Sequence, residues 1–333
     1  MRAGRSRCKR SSRLNVLGLL TLTLGLTVFD TPYLAQQDPS KNGATAEQLI
    51  RSVKRLEKRL GFRHTHNFSR HSSQVAAEYR CYYTGKLELP ESYEGLALAQ
   101  GTSNGCPVDP DKYDVFFYPL EAMANGKTPL TTSLENASTE RLLVVVPHED
   151  FHESKELQKL PASLSEAAST LIGFLTAREL GRERFGSDSE VYRRLAKEPE
   201  LFLQKAEIIN RYYAKVSRLY AGVRSGSVAR EGAMEQKEQL FGAMKRVCTA
   251  IDPNPRSFNK CPAVNNNAGL AFDATYTKYY PLMYSFYRSY QAKGWDLKTT
   301  VDALKQALAI DSAAAAIQHV QDLINASESQ TSR

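Results

Sequence analysis

The chain has 333 residues, of which 42% are hydrophobic and 24% are charged, a composition typical of a globular protein with a substantial core. The formal net charge is +8, but residues 1–35 contain six basic residues and one acidic residue, so the remainder carries only +3. This weak charge gives no support to nucleic-acid binding, and we expect no nucleic-acid partner.

Residues 1–35 have the pattern of an export signal. Their basic residues precede an uncharged, largely apolar run from residue 15 to residue 29. Because this run is short for a membrane span, we expect cleavage after Ala35 and an exported protein, either periplasmic or secreted. The alternative is that residues 14–29 remain as a membrane anchor. A polar linker over residues 36–44 follows in either case.

Four cysteines lie outside the signal, which contains Cys8. They are Cys81, Cys106, Cys248 and Cys261. In an exported chain, four cysteines predict two disulfides, for which three pairings exist; the competing interpretation is that they are free buried thiols. We favour the pairings between sequence neighbours, Cys81–Cys106 and Cys248–Cys261.

The folded part is predicted to begin with a helix. Residues 45–48 match a capping box, apolar residues follow at helical spacing up to Leu60, and Gly61 ends the helix. Residues 73–130 contain β-like segments, of which the clearest is Asp114–Leu120. We therefore expect a small β-containing N-terminal part.

The segment that follows contains a His-Glu-x-x-His motif, and two interpretations of its local structure are open. Leu142–Val146 is rich in β-branched residues and fits a strand, with Pro147 at the first position of a helix. The competing interpretation is one helix that starts at Ser138. In both cases His148 and His152 lie one turn apart on the same helix face.

A pair of histidines with this spacing can bind one zinc ion. Glu149 is rotated by about 100° from His148, so it does not share the ligand site but can reach a water bound to the metal and take its proton. This is the arrangement that a zinc peptidase needs. The competing interpretation is a pair of histidines on a helix surface.

A catalytic zinc site needs a third protein ligand, and Glu166 is the best candidate. It lies 14 residues after the motif, a gap long enough to end one helix and start another with Ser163 or Ser165 as its N-cap. Glu153 and Glu156 are nearer. However, Glu153 points off the ligand face, and groups on three successive turns span about 11 Å, too far to share one ion.

The rest of the chain is predicted to be helical, so that residues 45–325 form a single domain of mainly α (α+β) class, a helical zinc-metallopeptidase-like domain. The predicted features are the zinc site at 148–166, a short helix from Ser189 to Ala196 that ends before Pro199, a helical hairpin at 200–250, a Tyr-rich helix at 267–291, an amphipathic helix from Trp295 to Ala309 and a disordered tail at 326–333.

One tyrosine of the Tyr-rich helix is a candidate for catalysis. A tyrosine hydroxyl can donate a hydrogen bond to the oxyanion that forms when water attacks a peptide carbonyl. Tyr276, which shares a helix face with Asp273, is our candidate, and Tyr279 and Tyr280 are its rivals. The competing interpretation is that these tyrosines pack at a helix interface.

Taken together, four stretches of the chain resemble a family of bacterial proteins described as predicted zinc aminopeptidases, which are gluzincin-like and usually exported or membrane-attached. The stretches are the motif at residues 148–152, Ser165-Glu166-Ala167 with the helix that ends at Gly181, Leu219-Tyr220-Ala221 with residues 236–241, and Asn266 to Ala271 with Thr275-Tyr276. The resemblance implies that His148, His152 and Glu166 are zinc ligands and that Glu149 is the general base.

We therefore expect an exported Zn²⁺-dependent peptidase that hydrolyses a peptide or protein substrate with a Glu-activated, zinc-bound water. The label "aminopeptidase" comes from the family alone, because no residue in the sequence is identifiable as a site for a free amino terminus. The alternative is a non-catalytic exported or membrane-anchored helical binding protein with a structural or vestigial metal site.

Overall fold

A computed structural model describes residues 44–256, 265–310 and 312–331. The predicted signal or anchor at residues 1–35, the predicted linker up to residue 43 and Cys261 of the predicted Cys248–Cys261 disulfide lie outside these residues.

The described chain is mainly α-helical with one small antiparallel sheet, which confirms the predicted fold class. The elements are α1 (Ala46–Leu60), β1 (Glu78–Gly85), a 3₁₀ turn (Tyr93–Gly95), β2 (Ala97–Gln100), β3 (Tyr113–Leu120), α2 (Thr132–Glu135), α3 (Thr139–His152), α4 (Ala162–Phe185), α5 (Glu190–Arg224), α6 (Arg230–Thr249), α7 (Asn267–Thr277), α8 (Tyr280–Ala292), α9 (Leu297–Leu308) and α10 (Ala313–Thr331).

The sheet has the strand order β2-β1-β3 and presents an aromatic face to the helices. Tyr82 of β1 lies opposite Phe116 of β3, and both rings pack against Phe272 of α7, with centroids 5.4 and 4.7 Å away. The disulfide Cys81–Cys106 joins β1 to the loop after β2, which confirms the first predicted pairing.

Helices α3 and α4 form the centre of the core. Every residue from 142 to 148 in α3 and from 163 to 177 in α4 is buried, as expected for helices that are covered on all sides. Helix α1 begins with the predicted capping box at Thr45 and ends at Gly61, which has a φ of 78°. Helices α5 and α6 form the predicted hairpin.

Three boundary predictions are wrong. Helix α5 continues through Pro199 instead of breaking before it. A proline inside a helix costs about 3 kcal/mol, but Leu195 and Phe202 are buried on either side of Pro199, and their packing outweighs this cost. The predicted Tyr-rich helix is divided into α7 and α8, because Pro281 lacks an N–H and lies in the first turn of a new helix.

The third wrong boundary is the predicted disordered tail at residues 326–333. Helix α10 instead extends to Thr331. Ala316, Val320 and Ile324 are spaced at four residues and are buried in the core. This apolar stripe anchors the helix beyond the point at which the polar composition suggested an end.

Candidate metal centre

The motif lies on a continuous helix, so the strand interpretation of Leu142–Val146 is wrong. Ser138 caps α3, with its side chain accepting a hydrogen bond from the Arg141 amide. The helix then runs through Pro147 to His152. The two histidine side chains therefore extend from the last turns of α3, where their backbone is fixed by the buried residues before them.

The side chains of His148, His152 and Glu166 meet at one point. Glu166 Oε2 lies 3.2 Å from His148 Nε2 and 3.1 Å from His152 Nε2, and the two Nε2 atoms are 3.2 Å apart. Two imidazole nitrogens and one carboxylate oxygen at such distances are a donor set suited to a small divalent cation. Neither Glu153 nor Glu156 belongs to this group in the described part of the chain.

Glu166 reaches the histidines from the first turns of α4, although the predicted N-cap is wrong. The residue at the N-cap position is Pro161, which has no side-chain donor or acceptor, rather than Ser163 or Ser165. Ser165 has a different contact, since its Oγ lies 3.0 Å from His152 Nδ1. Pro161 has a φ of −59° and a ψ of 149°, so the chain enters the helix from an extended conformation, and Ser165 remains available to orient the imidazole.

A glycine allows α4 to approach α3 at the site. A Cβ atom added to Gly173 would lie 3.0 Å from the Val144 carbonyl oxygen and 3.1 Å from His148 Cβ. Both atoms belong to α3 and cannot move without shifting the helix. The absence of a side chain at Gly173 therefore sets the distance between the two helices that supply the three donors.

Two further hydroxyl groups, besides that of Ser165, contact the donor residues. Tyr93, from the 3₁₀ turn, donates a hydrogen bond of 3.0 Å to Glu166 Oε1, the carboxylate oxygen that faces away from the histidines. Thr170 Oγ1 lies 3.5 Å from His148 Nδ1. Such outer contacts fix the orientation of metal-binding side chains and are a usual part of metal sites.

The charges of the site favour an ionised Glu166. Burial alone would raise the pKa of this carboxyl, but the charge of His152 and hydrogen bonds from both histidines outweigh it and hold the pKa well below its usual range. Burial opposes a charge on His152, yet the nearby Glu166 carboxylate raises the pKa of that imidazole. Burial raises the pKa of Glu149, while the two histidines partly counteract this effect.

The three donors line a cavity of about 340 Å³ that opens between the helices and the sheet. Glu149 and Tyr276, the two residues predicted to act in catalysis, line the same cavity. The Tyr276 ring lies nearly parallel to the His148 ring, with centroids 6.2 Å apart. The motif, Glu166 and Tyr276 are thus brought together, as the sequence predicted.

The rivals of Tyr276 are not part of this cavity wall. Tyr280 is buried in the core and donates a hydrogen bond of 3.0 Å to the Pro199 carbonyl, and Tyr279 packs at the edge of the same core. Asp273, the residue predicted to share a helix face with Tyr276, forms an ion pair of 3.2 Å with Lys205.

Comparison with known proteins gives no relative: no family model, no curated protein and no solved structure matches this chain. The residues of the site are therefore the basis for any functional assignment. Within the part of the chain that the structure describes, none of the helices has the length and apolar character of a membrane span.

Most of the cavity wall has no signal in the sequence, and two of its polar residues, Tyr93 and Arg80, were not predicted. Tyr93 comes from a short turn with no motif of its own, and Arg80 comes from β1. In β1, Arg80 and Tyr82 alternate with Cys81 and therefore share one face of the strand. This alternation is the only signal in the sequence for Arg80, whereas Tyr93 has no local signal.

Proposed function

We propose that this protein is a zinc-dependent peptidase. The observation that supports this proposal best is the convergence of His148, His152 and Glu166 on one point in the wall of a cavity that Glu149 also lines. Two histidines and one glutamate form a ligand set that leaves a zinc ion an open position for a reactant.

The donor atoms fit Zn²⁺ better than they fit the harder cations. Imidazole nitrogen suits zinc and its neighbours in the transition series, whereas Mg²⁺ and Ca²⁺ prefer oxygen ligands. When bound, zinc supplies Lewis-acid chemistry, polarising a carbonyl and lowering the pKa of water. A structural site would need a fourth protein ligand, and among the described residues no further His, Cys, Asp or Glu joins this group.

We assign the general base to Glu149. Its carboxylate lines the cavity next to the ligand cluster, and it is not one of the three ligands. It accepts a proton from the attacking water and delivers that proton to the amine of the departing product. This role requires a carboxylate that can reach the attacking water without binding the metal, and the place of Glu149 between the two histidines on α3 supports the assignment.

We assign the oxyanion donor to Tyr276. Burial, followed by the charge of Glu166, raises the pKa of this hydroxyl well above its usual value, so the hydroxyl keeps its proton. A hydroxyl that stays protonated beside the reacting carbonyl can stabilise the negative charge that develops on its oxygen.

We also infer that the protein is exported and works in the periplasm or outside the cell. The disulfide between Cys81 and Cys106 supports this inference, because such bonds persist mainly in oxidising compartments. The basic and apolar pattern of residues 1–29 gives separate support from the sequence.

The proposal is tested by metal analysis and peptide hydrolysis on purified protein. We expect one zinc per chain in the wild type, loss of zinc in His148→Ala, and cleavage of a mixed peptide library, read by mass spectrometry, in the wild type alone. Glu149→Gln should retain zinc and lose hydrolysis. Zinc-loaded protein that cleaves no peptide, or a Glu149→Gln variant that retains turnover, would contradict the proposal.

A further inference from the structure

One basic side chain enters the cavity from the sheet. Among the described residues that line the cavity, Arg80 is the one with a permanent positive charge, since the others are neutral, acidic or histidine. Its side chain is 28% exposed, which places the guanidinium at the wall and not in bulk solvent. Glu78 pairs with this charge at 2.6 Å, but the assigned roles of the other cavity residues give Arg80 no part in the reaction.

The hydrogen bonds of Arg80 leave donors available. Nε donates to Glu78 Oε2 at 2.6 Å, Nη1 to the Tyr82 hydroxyl at 3.3 Å and Nη2 to the Met123 sulfur at 3.2 Å. A guanidinium has five N–H groups, so each terminal nitrogen keeps one donor beyond these contacts. A hydroxyl oxygen and a thioether are also weak acceptors compared with a carboxylate, which binds such a fork through two charge-assisted bonds.

Arg80 is connected to the ligand cluster through two tyrosines. Its Nη1 contacts the Tyr82 hydroxyl, the Tyr82 and Tyr93 ring centroids are 6.1 Å apart, and the Tyr93 hydroxyl contacts Glu166. The guanidinium and the metal donors are therefore separated along one wall by two aromatic side chains. Because Arg80 and the metal donors line the same cavity, a bound peptide can contact both.

We propose that Arg80 binds the terminal carboxylate of a peptide substrate, so that the protein removes residues from the carboxyl end of short peptides. This inference rests on the proposed function and narrows it. In the reaction the last C–N peptide bond breaks, the hydroxyl of water adds to the carbonyl carbon, and its proton goes to the leaving amine. The products are a shortened peptide with a new carboxylate and one free amino acid.

A peptide could also bind in the opposite direction, with its free amino terminus in the cavity. The positive charge of that terminus would need an acidic side chain that is not part of the metal site. Glu94 is the available carboxylate in the cavity wall, but it is exposed and accepts a hydrogen bond of 3.2 Å from the Ala162 amide at the start of α4. Water and salt screen such a charge. Arg80 is the better-shielded group, and it favours a carboxylate ligand over an ammonium.

Peptide binding is measured first, by calorimetry. The Glu149→Gln variant is used because it should not hydrolyse the peptide during the titration. The probes are N-acetyl-Ala-Ala-Phe and its C-terminal amide, whose phenylalanine suits the aromatic wall. The free acid should bind about 10- to 100-fold more tightly than the amide, the range for a charge-assisted bidentate contact. Adding Arg80→Met should remove this preference, and Arg80→Lys should restore part of it, since lysine keeps the charge but not the fork.

Hydrolysis of the same two peptides is then measured with Glu149 intact. The wild type should cleave the acid with a higher kcat/KM than the amide, and Arg80→Met should lower only the rate on the acid. Arg182→Met is the matched control, because Arg182 is an exposed arginine at the end of α4 that pairs with Glu179. Thermal unfolding of each variant shows that the fold is retained.

Each outcome decides a different question. Equal binding of acid and amide, or an acid preference that survives in Arg80→Met, overturns the role of Arg80, and the second result places the carboxylate on the metal donors instead. Hydrolysis of both peptides at equal rates contradicts the proposed role of Arg80 but is consistent with a peptidase. Arg80-dependent binding without any hydrolysis supports the carboxylate site and contradicts the peptidase.

Discussion

The hydroxyl of Tyr93 donates a 3.0 Å hydrogen bond to Glu166 Oε1, while the other oxygen of the same carboxylate faces the two histidines. The carboxylate is thus held from both sides. The turn that carries Tyr93 lies beside the sheet, so this contact joins the sheet to the helices that provide the metal donors.

Removing this hydroxyl should weaken metal binding without preventing it. We expect Tyr93→Phe to lower the zinc affinity by about tenfold, because outer contacts orient metal ligands and their loss costs about 10- to 100-fold. Competition with a chelator measures the affinity. Tyr213→Phe is the matched control, since the Tyr213 hydroxyl donates to the Pro90 carbonyl and Tyr213 does not line the cavity. Equal affinities in the two variants would contradict the role of Tyr93.

The close approach of α3 and α4 gives a second prediction. Gly173→Ala should lower the free energy of unfolding by about 1–3 kcal/mol, because its methyl group would overlap the Val144 carbonyl and His148 Cβ. Gly232→Ala is the control, since an added Cβ meets nothing within 4 Å there, and alanine should stabilise helix α6 by about 0.5–1 kcal/mol. Urea unfolding measures the change in free energy of unfolding for each variant, which should be negative for Gly173→Ala and positive for Gly232→Ala. Stabilisation by Gly173→Ala would contradict the predicted steric overlap.

The metal donors were predictable from the sequence because their geometry is local. The spacing of His148 and His152 sets one helix face, and the gap to Glu166 allows one turn and a new helix. The helix interpretation could not be separated from the strand interpretation, because Leu142–Val146 is buried on all sides and has no periodicity. The long-range packing of α3 against α4 decided between them.

The remaining wall of the cavity depends on contacts that no local pattern encodes. Tyr93 and Glu166 are 73 positions apart, and their contact requires the sheet to dock on α7 through Phe272. The sequence alone does not distinguish Arg80 from the other arginines of the chain. Its position facing the cavity follows from the register of β1 in the sheet. A helix around Tyr276 was predictable from the sequence, but the end of that helix before Pro281 was not.

The motif helix is also anchored on the face opposite the metal donors, at Asp150. This buried carboxylate accepts hydrogen bonds from Thr65 Oγ1 at 2.7 Å and Asn67 Nδ2 at 2.9 Å, and it pairs with Lys54 of α1. Asp150→Asn removes the charge that Lys54 needs and should lower the free energy of unfolding by about 2–3 kcal/mol.

The control for Asp150→Asn is Asp302→Asn. Asp302 pairs with Lys298, and both side chains are more than 40% exposed. An exposed pair of this kind contributes about 0–1 kcal/mol. Chemical unfolding of both variants should therefore give a clear difference in midpoint, and similar small losses would show that the Asp150 cluster does not anchor α3.

Glu57 of α1 gives a prediction about pH. Burial and then the charge of Asp150 raise the pKa of this carboxyl well above its usual value, although Lys54 counteracts them. A carboxyl with a raised pKa in the folded state favours folding at a pH below the unfolded pKa, near 4.5. That contribution is lost as the pH rises through the folded pKa, by up to about 1.4 kcal/mol per pH unit.

Glu57→Gln removes this titration, so its free energy of unfolding should rise relative to that of the wild type as the pH increases from about 4.5 toward neutrality. Urea unfolding of both proteins across this range measures the difference. Glu235→Gln on α6 changes an exposed carboxyl and should follow the wild type throughout. If the difference in free energy of unfolding between Glu57→Gln and the wild type is the same at every pH, Glu57 has the same pKa in the folded and unfolded chains. That result would contradict the effect of burial and of Asp150 on this pKa.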